Sequence, residues 1–135
     1  MLDGQFVTAV CAHIDVAAHA ITYAGAGHPP AILVRKASGD VLELAENGLF
    51  LGPFRNVSYT NALAPFDLGD RLLLYTDGII EATFSDGEPF GLVRLREFAA
   101  AQVNSQPAAF VNALMNTVSI HEQEDDLTVV VAEAL

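Results

Sequence analysis

Two short stretches of the chain carry residue types suited to metal or phosphate chemistry. In Leu74-Tyr75-Thr76-Asp77-Gly78 a carboxylate follows directly on an apolar run and precedes a glycine. A strand that ends in an acid presents it at its open end, where rigid scaffolds hold functional groups. The glycine lets the backbone turn, or approach a ligand closely. Asp-Gly is also a common turn dipeptide, so a plain turn is the competing reading. In Asp125-Asp126-Leu127-Thr128 two acids abut the start of a β-branched run. Adjacent carboxylates repel, and a cation beside them relieves the repulsion; a solvated acidic loop is the alternative. Together the two stretches offer the hard oxygen donors that Mg²⁺ and Mn²⁺ take, but two carboxylates are too few for a complete site.

Other candidates have simpler explanations. His28 lies in Gly27-His28-Pro29-Pro30, a tight turn in which a structural role outweighs ligation. No two of the histidines at 13, 19, 28 and 121 have zinc-ligand spacing. No serine sits in a Gly-x-Ser-x-Gly elbow. Asp15, Asp40, Asp67, Asp70 and Asp86 stand beside turns and read as solvated, and Arg71, Arg94 and Arg96 read as surface residues. Cys11, in Ala9-Val10-Cys11-Ala12, reads as a small core residue.

The elements that must position the acids follow from periodicity. Residues 6–16, 21–24, 31–35 and 41–44 read as strands, and Val57 to Leu63 as an edge strand. Arg71 to Thr76 is almost continuously apolar after its first residue, the pattern of a central strand buried on both faces. Leu92 to Ala101 has helical spacing. A second helix begins near Ser105, with that serine as cap and Pro107 in the first turn. Leu127 to Val131 is a last strand. A run of mainly antiparallel strands, two helices and a closing strand is an α+β plan, with stacked sheets flanked by helices.

Composition narrows the partners. Seventeen acidic against six basic residues give a formal charge of −11, which argues against nucleic acid and against an anionic membrane surface. An enzyme acting on phosphate remains open, because bound cations can supply the positive charge. At 52% hydrophobic residues in 135, a packed core is expected. One cysteine permits no intrachain disulfide, which fits a cytoplasmic location. Nothing resembles a signal peptide or a membrane span.

Several strings, taken in order, resemble the SpoIIE-like branch of the PPM (type 2C) protein phosphatases. They are Phe6-Val7-Thr8-Ala9 with Asp15, Tyr23-Ala24-Gly25-Ala26-Gly27-His28-Pro29-Pro30, residues 68–82, Gly87-Glu88-Pro89-Phe90-Gly91 with Leu95, and Asp125-Asp126-Leu127-Thr128-Val129. The resemblance runs over nearly the whole chain. It implies two stacked antiparallel sheets flanked by helices, the partial β-sandwich of a PPM domain. It implies metal-dependent hydrolysis of phosphoserine or phosphothreonine on a regulatory protein such as an anti-anti-sigma (STAS) factor. Two Mn²⁺ or Mg²⁺ ions would activate a water for in-line attack, with no protein nucleophile beyond the metal ligands.

Matched residue by residue, Asp77 and Asp125 are the implied ligands of one metal, with Gly78 and Asp126 adjacent to it. The family's bridging aspartate and its Asp-x-x-Gly-His-Gly segment match nothing in residues 1–135. The chain therefore reads as the C-terminal portion of a single phosphatase domain, with an incomplete metal site and doubtful activity alone. Sheet edges uncovered in this way invite homodimerisation or strand exchange. A non-catalytic regulatory binding module on the same fold is the alternative function, and an unrelated acidic α+β domain is a third.

Overall fold

The computed structural model describes residues 4–119 and 126–135. Its seven strands are β1 (Ala9–Asp15), β2 (Ala20–Ala26), β3 (Ala31–Val34), β4 (Val41–Leu44), β5 (Ala62–Pro65), β6 (Arg71–Tyr75) and β7 (Val129–Glu133). Its helices are α1 (Asp77–Glu81), α2 (Gly91–Ala101) and α3 (Pro107–Ser119). Strands β1-β2-β5 form one sheet and β4-β3-β6-β7 another. Every pairing between named strands is antiparallel.

Alternation of side chains divides the interior in two. Ile32 and Val34 of β3, with Leu73 and Tyr75 of β6, face the helices and meet Ile79, Leu95, Phe110 and Leu114. Ala31 and Leu33 of β3, with Leu72 of β6, face the other sheet and meet Ile21, Tyr23, Ala64 and Phe66. The four-stranded sheet is thus covered on both sides, and β6 is a central strand as its apolar run predicts. The α+β architecture expected from the sequence is the one observed.

The chain changes sheets between β2 and β3, at Gly27-His28-Pro29-Pro30. Gly27 has φ +67°, and a Cβ there would come within 2.7 Å of the Phe50 side chain. The corner therefore excludes side chains at this point. The two prolines that follow cannot donate to a ladder, so β3 pairing begins only after them.

Several expectations fail. Arg71 is buried, with 1% of its surface exposed. Its guanidinium meets Glu133 at 2.7 Å, donates to the Gln102 and Ser105 carbonyls, and lies over the Phe110 ring. Asp70, expected in solvent, is equally buried. It pairs with Arg35 at 2.8 Å and accepts from the Lys36 and Asp67 amides. Both charges are tolerated because remote residues pair and hydrogen-bond them. Cys11 is exposed, not buried, because it points off the outer face of the β1-β2-β5 sheet, the same face on which Leu63 is 77% exposed. The strand expected at 57–63 forms instead at Ala62–Pro65, where Ala62 and Ala64 face the core and pair with Tyr23 and Ile21. Ser105 does not cap α3; its hydroxyl donates to the Gln102 carbonyl.

Candidate metal site

Strand β6 delivers Asp77. The strand ends at Tyr75, Thr76 is the cap of the short helix α1, and Asp77 is the first helical residue, exposed to solvent. Helix α1 is absent from the sequence expectation; five residues carry too little periodicity to reveal it. Strand β7 brings the second acidic stretch alongside. The register pairs Tyr75 with Val129, and the pairing continues outward through Thr76 and Thr128. The Thr76 amide donates to the Thr128 carbonyl at 3.0 Å, and the Thr128 amide donates to the Thr76 hydroxyl at 3.1 Å.

Beyond this clamp the two acidic segments touch. A Cβ built on Gly78 would lie 2.3 Å from the Asp126 carbonyl oxygen, so the close approach requires glycine at that position. Gly78 is buried, whereas Asp126 and Asp77 are exposed. Asp125, the second expected ligand, lies outside the described residues. Among the described residues, no three His, Cys, Asp or Glu side chains cluster in a way that would hold a metal ion. What the described residues supply is two exposed carboxylates, Asp77 and Asp126, on segments whose backbones meet at Gly78. This oxygen-only donor set fits Mg²⁺ or Mn²⁺ as part of a larger site.

A support from the Gly27-His28-Pro29-Pro30 corner, where the sequence alone predicts a structural turn histidine, sits on the other side of β6. His28 Nε2 lies 2.8 Å from the Tyr75 carbonyl oxygen, and its Nδ1 lies 3.0 Å from the Thr8 hydroxyl. The Tyr75 hydroxyl donates back to the Pro30 carbonyl at 2.8 Å. Burial, reinforced by the charge of Glu43, raises the Tyr75 phenol well above the ordinary tyrosine range.

Comparison with known proteins places this arrangement in a family. The family model described as Stage II sporulation protein E (SpoIIE) matches residues 1–135. The phosphoserine phosphatase RsbP of Bacillus subtilis is 28% identical over 122 residues, covering 90% of this chain and 29% of RsbP. The phosphoserine phosphatase RsbU of the same organism is 29% identical over 83 residues, covering 62% of this chain and 25% of RsbU. Among solved structures, the manganese-presoaked phosphatase domain of B. subtilis SpoIIE superposes with TM-score 0.73 at 22% identity, covering 93% of this chain and 55% of that one. The SiaA-PP2C domain of Pseudomonas aeruginosa gives TM-score 0.74 at 24% identity, covering 93% and 51%. This chain therefore spans less than a third of RsbP and RsbU, and about half of each of these two phosphatase-domain structures. With the matched strings in family order and the fold in agreement, the chain belongs to the SpoIIE family of PPM-type phosphatase domains.

Proposed function

We propose that this chain is the C-terminal portion of a metal-dependent protein serine/threonine phosphatase domain, and that Asp77 and Asp125 are two ligands of one Mn²⁺ or Mg²⁺ ion. The observation that carries the reading is the contact of Gly78 with the Asp126 carbonyl at the ends of β6 and β7. It sets the Asp77 turn against the residue that follows Asp125. A divalent ion bound there supplies positive charge to the phosphoryl oxygens as negative charge develops on them. The chain's own part is to hold the two carboxylates on strand ends that are hydrogen-bonded to each other. The formal charge of −11 is consistent with a site whose positive charge is borrowed from metal.

The remaining carboxylates come, on this reading, from the part of the domain that has no counterpart in residues 1–135. That part also covers the outer face of the β1-β2-β5 sheet, where Cys11 and Leu63 are exposed. Left uncovered, the same face and its edges favour homodimerisation or strand exchange. The substrate on this reading is a phosphoserine or phosphothreonine, in line with RsbP and RsbU, which are named as phosphoserine phosphatases; its carrier is a cytoplasmic regulatory protein of the STAS class, as the resemblance to the SpoIIE-like branch implies.

The test is Mn²⁺-dependent release of phosphate from a phosphorylated STAS protein. It compares this chain, a chain extended on its N-terminal side, and the extended chain carrying Asp77→Ala. The extended chain should turn over, and Asp77→Ala should cost it about 100-fold or more, the equivalent of a few kcal/mol of lost metal assistance. Equal turnover by the extended chain and its Asp77→Ala variant would overturn the assignment. Binding of the STAS protein without turnover by any of the three would favour a regulatory binding module.

A further inference from the structure

We propose that His28 is the positioning residue of the Asp77 centre: its Nε2–H holds the peptide plane between Tyr75 and Thr76, and so fixes the direction in which Asp77 presents its carboxylate. The inference rests on the reading of Asp77 as a metal ligand and extends it to the residue that supports the ligand from behind.

Consecutive residues of a strand turn their N–H and C=O groups to opposite neighbours. The Thr76 amide points to β7 and donates to the Thr128 carbonyl, so the Tyr75 carbonyl points to β3. The β3–β6 register pairs Ile32 with Leu73, and two residues further along it sets Pro30 opposite Tyr75. Proline has no N–H to give. The Tyr75 carbonyl would therefore lack its ladder donor at the last strand residue before the acid. His28, two residues before Pro30, supplies that donor at 2.8 Å.

A carbonyl can only accept, so the proton must sit on Nε2. Nδ1 meets the Thr8 hydroxyl at 3.0 Å, accepting from it when the ring is neutral. Both ring nitrogens are engaged, which leaves neither as a metal ligand. The peptide before Thr76 is held from both sides, by His28 through its carbonyl and by Thr128 through its amide. The two prolines that interrupt the ladder and the histidine that repairs it belong to one corner.

The test compares the wild-type chain with His28→Ala and His28→Gln, since a glutamine amide can place an N–H near the position of Nε2. Nitrogen-15 spectra of the histidines should show a proton on His28 Nε2. Hydrogen exchange at the Thr76 and Asp77 amides should accelerate in His28→Ala and return toward wild type in His28→Gln, with the amides of β1 and β2 unchanged. Calorimetric Mn²⁺ affinity should fall roughly 10-fold in His28→Ala, the scale typical of residues that orient metal ligands, and recover in His28→Gln. Unchanged exchange at Thr76 and Asp77, a rise spread equally over both sheets, or failure of glutamine to restore either readout would overturn the proposal. The exchange readout needs no metal. A wild-type chain that binds no Mn²⁺ therefore overturns the ligand reading of Asp77, while the exchange pattern separately decides whether His28 holds the strand end.

Discussion

Gly78 is buried where β6 meets the segment entering β7, and the space a methyl group would need is occupied by the Asp126 carbonyl oxygen, 2.3 Å from the position of such a Cβ. The obstacle is backbone, which cannot swing aside as a side chain can. Gly78→Ala should therefore cost roughly 1–3 kcal/mol, the usual range for forcing an extra carbon into a filled space. It should also push the two acidic segments apart. Urea unfolding checks the first effect and Mn²⁺ titration the second; a variant as stable and as metal-competent as wild type would contradict the contact. Asp77-Gly78 stands out in the sequence because an acid, a glycine and the end of an apolar run coincide in three residues. Arg71 and Asp70 do not stand out. Their burial depends on Glu133, Arg35 and the carbonyls of the α2–α3 connection. No local pattern announces partners 31 to 62 positions away, so an isolated charge is read as solvated by default.

At the scale of elements, the join between β3 and β6 has a built-in sensitivity to alkaline pH. The Tyr75 hydroxyl ties the end of β6 to the Pro30 carbonyl. Burial, and secondarily Glu43, raise the pKa of this phenol in the folded chain above its unfolded value of about 10. Because the folded pKa is the higher one, this contribution to stability is fully present below about pH 10 and is lost as pH rises from there toward the folded pKa. Between pH 8 and pH 11, wild type should lose more unfolding free energy than Tyr75→Phe, although at pH 8 the variant is the weaker by about 1 kcal/mol for the missing hydrogen bond. Parallel losses in both would contradict the assignment. Strands β3, β4 and β6 are legible in the sequence to within a residue or two, because their apolar runs are bounded by turn residues. Strand β5 is not. Residues 57–63 alternate weakly, and pairing with Ile21 and Tyr23 selects Ala62–Pro65 instead. The link from His28 to Tyr75 is legible only in part. Gly-His-Pro-Pro declares a corner, but which carbonyl the imidazole meets depends on a register fixed by another strand.

For the whole molecule, one sheet lies between the helices and a second sheet whose far side meets no helix among the described residues. That asymmetry explains why Cys11 and Leu63 are exposed although their neighbours in sequence are apolar. The α+β plan follows from the order of strand and helix patterns, and the family from motifs in their proper sequence. The exposure of Cys11 and Leu63 does not follow, because composition and periodicity do not say what covers a sheet face. On the proposed reading the metal centre is distributed in the same way: Asp77 follows β6, Asp125 precedes β7 in the sequence, and the remaining ligands come from structure that residues 1–135 do not match. Calorimetric titration of Mn²⁺ into this chain and its Asp77→Ala and Asp125→Ala variants tests the shared site most directly. Weak but measurable binding by wild type, abolished by either substitution, is the predicted result; binding by both variants equal to that of wild type would contradict it.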